Sequence, residues 1–395
     1  MTINKAIVVA ASAYVVIGGV FGFAYALNAM APHLEDELGL SRDELGLALG
    51  FEFGGLYLIA PFAGYLSDRV GARFAAMAAG LLMAASLAAA AASQSFWHVL
   101  LAFIFAGFAL GACQTPCLAA VQTWFSGRRG LVTGIVSTCV GVGGATLTPF
   151  SEHLAEAIGW REALLALAVA SAAVAALVAP WISRRPESGA KQGSARVDRE
   201  THGKISEVMR TRRFIFFALG SFCMAFALLT PMAHIAVSAV DAGLSVQTAA
   251  ALVATTAFAS IPARIIAGAL ADYFGRTLTL GWGYACLGMS FLLWSSASEI
   301  TTFFAYAVAY GAIQGACVAL RPAATADHFS GPYLGTIMGM VYFASFIGAL
   351  AGPWLFGRIY EVFGSYDYAS YGAFVVCLCS AAFMWRTARL PAAGG

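Results

Sequence analysis

The sequence predicts an all-α membrane protein of twelve transmembrane helices in two six-helix, pseudo-symmetric halves. Three observations carry this expectation. Of the 395 residues, 60% are hydrophobic and 11% charged, against roughly 25% charged in a soluble domain. Twelve apolar runs are each long enough to cross a bilayer, and motifs of the first six recur in the last six. A water-facing surface for so long a chain cannot be built from so few charges, which excludes soluble enzymes. The formal net charge is +2 with no dense Lys/Arg tract, so no nucleic-acid partner is expected. The eight cysteines lie in apolar runs without histidine neighbours and read as small core residues; no disulfide, metal or cofactor is expected.

Crossing about 30 Å of hydrocarbon takes roughly 20 apolar residues. Span 1, 6–30, is too long and Gly-rich for a cleaved signal, and its Gly18, Gly19 and Gly22 resemble a close-packing face. Span 2, 45–66, contains Glu52 and ends in a charged turn; spans 3 and 4 follow at 74–93 and 97–124. Span 5, 130–152, carries Pro149 late, and span 6 is 161–182. The second half begins with span 7, 214–238, with His234 near its end, and span 8, 246–271, with Arg264 inside. Spans 9 to 12 are 278–297, 301–324, 334–357 and 369–387.

Cytoplasmic loops retain Lys and Arg, which sets the orientation. With the amino terminus inside, eighteen cations are cytoplasmic, among them Lys5, Arg69, Arg73, Arg128, Arg129, Arg276 and Arg321, together with nine between Arg184 and Arg213. Only Arg42, Arg161 and Arg358 fall outside, and Arg264 lies within span 8. Both termini are therefore expected in the cytoplasm of a multi-pass plasma (inner) membrane protein. The polar stretch 184–213 reads as a solvated linker between bundles at 1–183 and 214–395.

The halves repeat. Gly64-Tyr-Leu-Ser-Asp68-Arg-Val-Gly71-Ala-Arg73 closes span 2, and Gly268-Ala-Leu-Ala-Asp272-Tyr-Phe-Gly275-Arg276 closes span 8, an offset of 204 residues. The same offset matches Phe125-Ser126-Gly127 to Phe329-Ser330-Gly331, and Pro149 to Pro353. Two repeated six-helix halves are a signature of secondary transporters. The GYLSDRVGAR stretch resembles the loop between helices 2 and 3 of the major facilitator superfamily, with a degenerate copy between helices 8 and 9. The resemblance implies that Asp68, Arg69 and Arg73, with Asp272 and Arg276, belong to a cytoplasmic gating network of charge-assisted bonds at helix ends.

Ionisable groups at membrane depth are costly and usually functional. Arg264 lies eight residues before Asp272, about 12 Å along a helix. Its guanidinium cannot lose its charge and presents a fork matched to a carboxylate. Glu52 and His234 sit toward the outer side and are the candidate proton carriers.

Within the superfamily, Arg264, His234 and the WFSGRRGLVTGIVSTCVGVGG stretch entering span 5 resemble the monocarboxylate and oxalate/formate transporter group. That resemblance implies that Arg264 binds the substrate carboxylate. Ser260 stands one turn earlier, where the group often has Asp or Asn, and span 11 lacks the Lys of the oxalate branch. One fixed positive charge favours a monoanion on charge compensation. Gln114 and Gln314, at repeat-equivalent places, are further candidate substrate contacts, as are Tyr310 one turn before Gln314, and Tyr342 and Phe346 as a facing wall. The expected function is a monomeric carrier that moves small monocarboxylates with protons by alternating access. The alternatives are an exporter of larger organic or aromatic compounds and an oxalate/formate-type exchanger. No HExxH motif, GxSxG motif or carboxylate pair at membrane depth points to an enzyme.

Overall fold

The computed structural model describes residues 2–125, 127–184, 205–297 and 299–390. Among them every regular element is helical, as hydrocarbon demands of a chain that must satisfy its backbone polar groups internally. Span 1 is α1 (Thr2–Ala29) followed by the short α2 (Ala31–Leu38), and spans 2 to 6 are α3 (Arg42–Val70), α4 (Ala72–Ala91), α5 (Phe96–Trp124), α6 (Arg129–Ile158) and α7 (Trp160–Val178). Span 7 is split into α8 (Arg212–Leu228) and α9 (Thr230–Asp241), and spans 8 to 10 are α10 (Val246–Phe274), α11 (Arg276–Ser295) and α12 (Ile300–His328). Span 11 is split into α13 (Leu334–Ala344) and α14 (Phe346–Phe363), and span 12 is α15 (Asp367–Ala388).

Local chemistry explains the boundaries. Ser41 closes a capping box with Glu44 at the start of α3, and Thr211 and Ser245 cap α8 and α10. Gly71, Gly159 and Gly275 each join two helices at φ of 101°, 93° and 95°, a region open to glycine alone at little cost. Pro231 enters α9 just after the break at Leu229 and brings no N–H to continue the preceding helix. Ten helical segments among the described residues are long and apolar enough to span a membrane. Span 7, which is cut into 17 and 12 residues, is not among them. Span 9, α11, is diluted by Trp, Tyr, Thr and Gly.

The chain forms two compact units that interleave in sequence. Unit 1 is Met1–Ser126, Ile135–Arg184 and Leu334–Phe343, and unit 2 is Gly127–Gly134, Arg185–Tyr333 and Ala344–Gly395. The contiguous halves expected from the repeat therefore exchange the first turn and a half of α6 and most of α13. Of the expected linker, 185–204 lies outside the described residues, 205–210 is helical, and Arg184 belongs to unit 1.

In unit 1, α3 packs along α5, and α4 packs on α5 and α7. A Cβ on Gly107 would lie 2.1 Å from the Glu52 carbonyl oxygen, so only glycine allows this approach of α5 to α3. In unit 2, α10 packs along α12 and α11 against α15. Gly311 and Gly315 play the same part, facing the carbonyls of Thr256 and Ser260. Apolar side chains such as Trp97 (72% exposed) and Val169 (71%) cover the outer surface, as expected of a face turned to lipid.

Arg321 corrects the sequence reading. Counted there as a cytoplasmic loop cation, it lies inside α12, seven residues before the helix ends at His328, and is 2% exposed. The apolar run stops near it because an arginine interrupts the hydropathy, not because the helix ends. Among the cysteines, Cys286 and Cys379 are exposed rather than in the core, Cys223 is half-buried, and the other five are buried.

Candidate functional site

Unit 2 holds the candidate anion-binding residues. Arg264 and Ser260 are both buried on α10, one turn apart, and Ser260 Oγ donates to the Ala257 carbonyl in its own helix. Thr256 meets Gly311 and Ser260 meets Gly315, so α10 and α12 run in register with an offset of 55 residues. Arg264 is then level with Ala319, and Arg321 sits within two residues of that level. Two buried guanidinium-bearing residues thus occupy adjacent helices at similar depth. The charge count that favoured a monoanion rested on one.

Arg321 joins three elements. Its NH1 donates to Ser345 Oγ at 3.2 Å, and Ser345 Oγ donates to the Ser221 carbonyl at 3.2 Å. Ser345 is the residue at which α13 gives way to α14, so this node holds the break. Gly348 and Gly352 beyond it pack on the Phe222 and Phe226 carbonyls of α8. Sequence reasoning missed Arg321 because no acid or motif accompanies it.

Tyr310 and Gln314 lie on α12, and the Tyr310 hydroxyl donates to the Leu228 carbonyl at the break between α8 and α9. The proline-interrupted helix leaves carbonyls to be satisfied there, so this phenol is engaged in structure. Gln314 in unit 2 and Gln114 in unit 1 are both half-buried and make no hydrogen bond among the described residues. Tyr342 and Phe346 lie on different helices. The helix breaks between them, and Tyr342 groups with unit 1, stacked on Tyr57 at 6.1 Å, while half-buried Phe346 begins α14 in unit 2.

His234, half-buried on α9, has both ring nitrogens engaged. Nε2 bonds the Pro353 carbonyl at 2.9 Å, which requires an N–H there, and Nδ1 faces the Tyr366 hydroxyl at 3.3 Å. Tyr366, in the turn before α15, has its phenol pushed up to about 12 by burial first and then by the nearby Asp241 and Tyr360. It therefore keeps its proton and donates to Nδ1. His234 also lies beside Phe356, and Trp294 stacks on both Tyr366 and Phe356.

Glu52, in unit 1, is 1% exposed on α3. A side-chain hydrogen bond joins it to Asn28, near the end of α1. Asn28 was absent from the sequence reading, since an asparagine in an apolar run gives no sign of which helix it faces.

The expected gating residues separate into two groups. Asp68 accepts the N–H groups of Gly335 at 3.1 Å and Thr336 at 2.7 Å, the Thr336 hydroxyl at 2.6 Å, and a bond from Arg184. It is a cap supplied to α13 from α3, inside unit 1. In unit 2, Asp272 accepts the N–H groups of Gly130 at 2.8 Å and Leu131 at 2.9 Å, capping α6 from α10. Arg276 pairs with Asp272 and with Asp327, each at 2.7 Å, and Arg129 reaches Asp327 at 2.9 Å. Carboxylates at these free N–H groups also meet the positive end of the helix dipole. Arg69 and Arg73 are exposed, lying over the rings of Tyr65 at 4.5 Å and Phe74 at 4.7 Å. Arg184, Arg129 and Asp327 were missed; the repeat of Asp68 as Asp272 was their one available signal.

Comparison with known proteins agrees with this architecture. The family model for the Major Facilitator Superfamily matches residues 13–245 and 215–395. Monocarboxylate transporter 3 of Rattus norvegicus is 27% identical over 394 residues, covering 95% of this chain and 78% of the relative. The MFS transporter asaE of Aspergillus flavus is 24% identical over 381 residues, covering 95% and 84%. Among solved structures, the fucose:proton symporter of E. coli superposes with a TM-score of 0.73 at 15% identity, covering 95% of this chain and 98% of that one. Twelve helical spans, helix-end caps repeated between Asp68 and Asp272, and a family match along nearly the whole chain have one conclusion: this chain is a membrane transporter belonging to the major facilitator superfamily.

Proposed function

We propose that the chain carries small monocarboxylate anions across the plasma membrane by alternating access, together with a proton, and that Arg264 binds the substrate carboxylate. The observation that carries this reading is a guanidinium-bearing residue, 6% exposed, ten residues from the C-terminal end of α10. An ionisable side chain within a membrane-spanning helix marks a functional site, and its planar fork suits a carboxylate. The monocarboxylate transporters among its relatives support the substrate class. Ser260, Gln314 and Gln114 supply polar contacts in this reading, and Tyr310, Tyr342 and Phe346 shape the apolar walls. Glu52 and His234 are its proton-handling candidates. Asp68, Arg69, Arg73, Asp272 and Arg276 form its cytoplasmic gate, with both termini on that side and the protein a monomer.

Arg321 favours a second reading, exchange of an oxalate-type dianion, because a second buried cation could balance a second negative charge. Uptake of radiolabelled lactate, pyruvate, acetate, benzoate and oxalate into proteoliposomes, with and without an inward proton gradient, separates the two. The first reading expects gradient-driven monocarboxylate uptake that falls at least about tenfold in Arg264→Ala. Wild-type rates in that variant for every transported acid would refute the anchor, and oxalate exchange indifferent to the proton gradient would favour the second reading.

A further inference from the structure

Glu52 and Asn28 form an incomplete pair inside unit 1. The Asn28 amide donates to the Glu52 carboxyl group, while Glu52 Oε2 and Asn28 Oδ1 are buried with no hydrogen-bond partner among the described residues. Both are acceptor atoms, and they belong to the two side chains already joined. One proton on Oε2 would remove the charge and turn that oxygen from an unmatched acceptor into a donor. Without that proton, a carboxylate 1% exposed would have a single amide donor in a low-dielectric core.

Among the described residues, no cation is hydrogen-bonded to Glu52. Of the titratable groups on elements packed against α3, α5 brings His98, Cys113 and Cys117, α4 brings Arg73 in its first turn, and α2 brings His33 and its acids. Lys5, Tyr14 and Tyr25 of α1 and Tyr342 of α13 complete the set on helices that touch the pair or α3, with Lys5 at the far end of α1 from Asn28. His98 lies nine residues from Gly107, the residue of α5 that meets Glu52, about 13 Å along the helix. None of these groups hydrogen-bonds Glu52.

We propose that the Glu52–Asn28 pair is the proton-carrying site of the transporter, with burial favouring the protonated acid and Asn28 as the positioning residue that orients its carboxyl group. The inference rests on the proton-coupled reading above and names the group that reading leaves open. Loading forms an O–H bond at Oε2 from hydronium and leaves water. Release breaks that bond, gives the proton to water and leaves the electron pair on the carboxylate. Release therefore requires water to reach Glu52, which is 1% exposed, and this ties proton exchange to conformation.

Glu52→Gln keeps the shape and the polar pairing of the protonated acid, so a purely structural role predicts a silent substitution. As a carrier, Glu52→Gln should lose proton-driven net uptake by about tenfold or more while substrate counterflow, which needs no net proton movement, stays within about threefold. Asn28→Leu, which removes the amide, should shift the pH profile of net uptake. A Glu52→Gln variant with wild-type proton-driven uptake would overturn the proposal. A substrate-independent readout keeps it falsifiable if no carboxylate is transported. Infrared spectra of the wild-type protein at neutral pH should contain a protonated-carboxyl carbonyl band that is missing in Glu52→Gln. Absence of that band in wild type would overturn the proton-carrying pair, whereas its presence with no carboxylate transport would count against the substrate reading alone.

Discussion

The carboxylate of Asp68 accepts the backbone N–H of Thr336 at 2.7 Å. Thr336 is the third residue of α13, and Leu131, which donates to Asp272 at 2.9 Å, is the third residue of α6. The two repeats thus place an acid from the end of one helix at the same N–H position of another. Asp68→Asn keeps one acceptor but loses the charge seen by Arg184, two N–H groups and a hydroxyl. A loss of about 2 kcal/mol is expected, visible as a lower unfolding temperature in detergent or nanodiscs, and Asp272→Asn should behave alike.

Arg321 and Ser345 should be energetically coupled. Arg321→Ala removes the donor to Ser345 Oγ and leaves a cavity beside the break in span 11, at a cost of about 2–4 kcal/mol. A double-mutant cycle with Ser345→Ala should give a coupling of about 1 kcal/mol or more. Additivity of the two substitutions in thermal unfolding would show that the node does not hold the break.

Glycine positions give a sharp contrast within one helix. A Cβ on Gly64 would sit 2.0 Å from the Gly335 carbonyl oxygen, a backbone atom that cannot swing away, whereas nothing lies within 4 Å of a Cβ on Gly46. Gly64→Ala should cost about 3 kcal/mol or abolish folded yield, and Gly46→Ala should be neutral or stabilising by up to about 1 kcal/mol. Yields from size-exclusion chromatography of both variants test the pair.

Tyr366 makes a prediction about alkaline pH. Its phenol ionises at about 12 in the folded protein, above the ordinary value near 10. The folded state therefore holds this proton more tightly than the unfolded chain. The stabilisation is full below about pH 10 and is lost as pH rises through 12. Unfolding temperature measured from pH 9 to 12 should fall in that window, and Tyr366→Phe should flatten the part of the slope that this residue contributes.

The membrane class, the twelve spans and the repeat were legible because each depends on composition and spacing along the chain. Asp68 and Asp272 were legible as a pair because the loop motif recurs at an offset of 204 residues. The breaks at Leu229 and Ser345 were not: apolar runs continue through both, and hydropathy is blind to a helix that bends. Arg321 was misplaced for the opposite reason, since a charge in the sequence reads as the edge of a span when its partner is a serine oxygen on another helix.

The sequence by itself determined that this chain lives in a bilayer, that it is a duplicated helical carrier, and that Arg264 and Glu52 fall inside its apolar spans. These follow from the cost of placing polar groups in hydrocarbon, which any stretch of about twenty residues reveals. The tertiary structure alone decided which groups meet: Asn28 with Glu52, Arg321 with Ser345, His234 with Pro353 and Tyr366. Such contacts join helices distant in sequence, and their geometry depends on side-chain direction and glycine-permitted backbone approach, neither of which periodicity encodes.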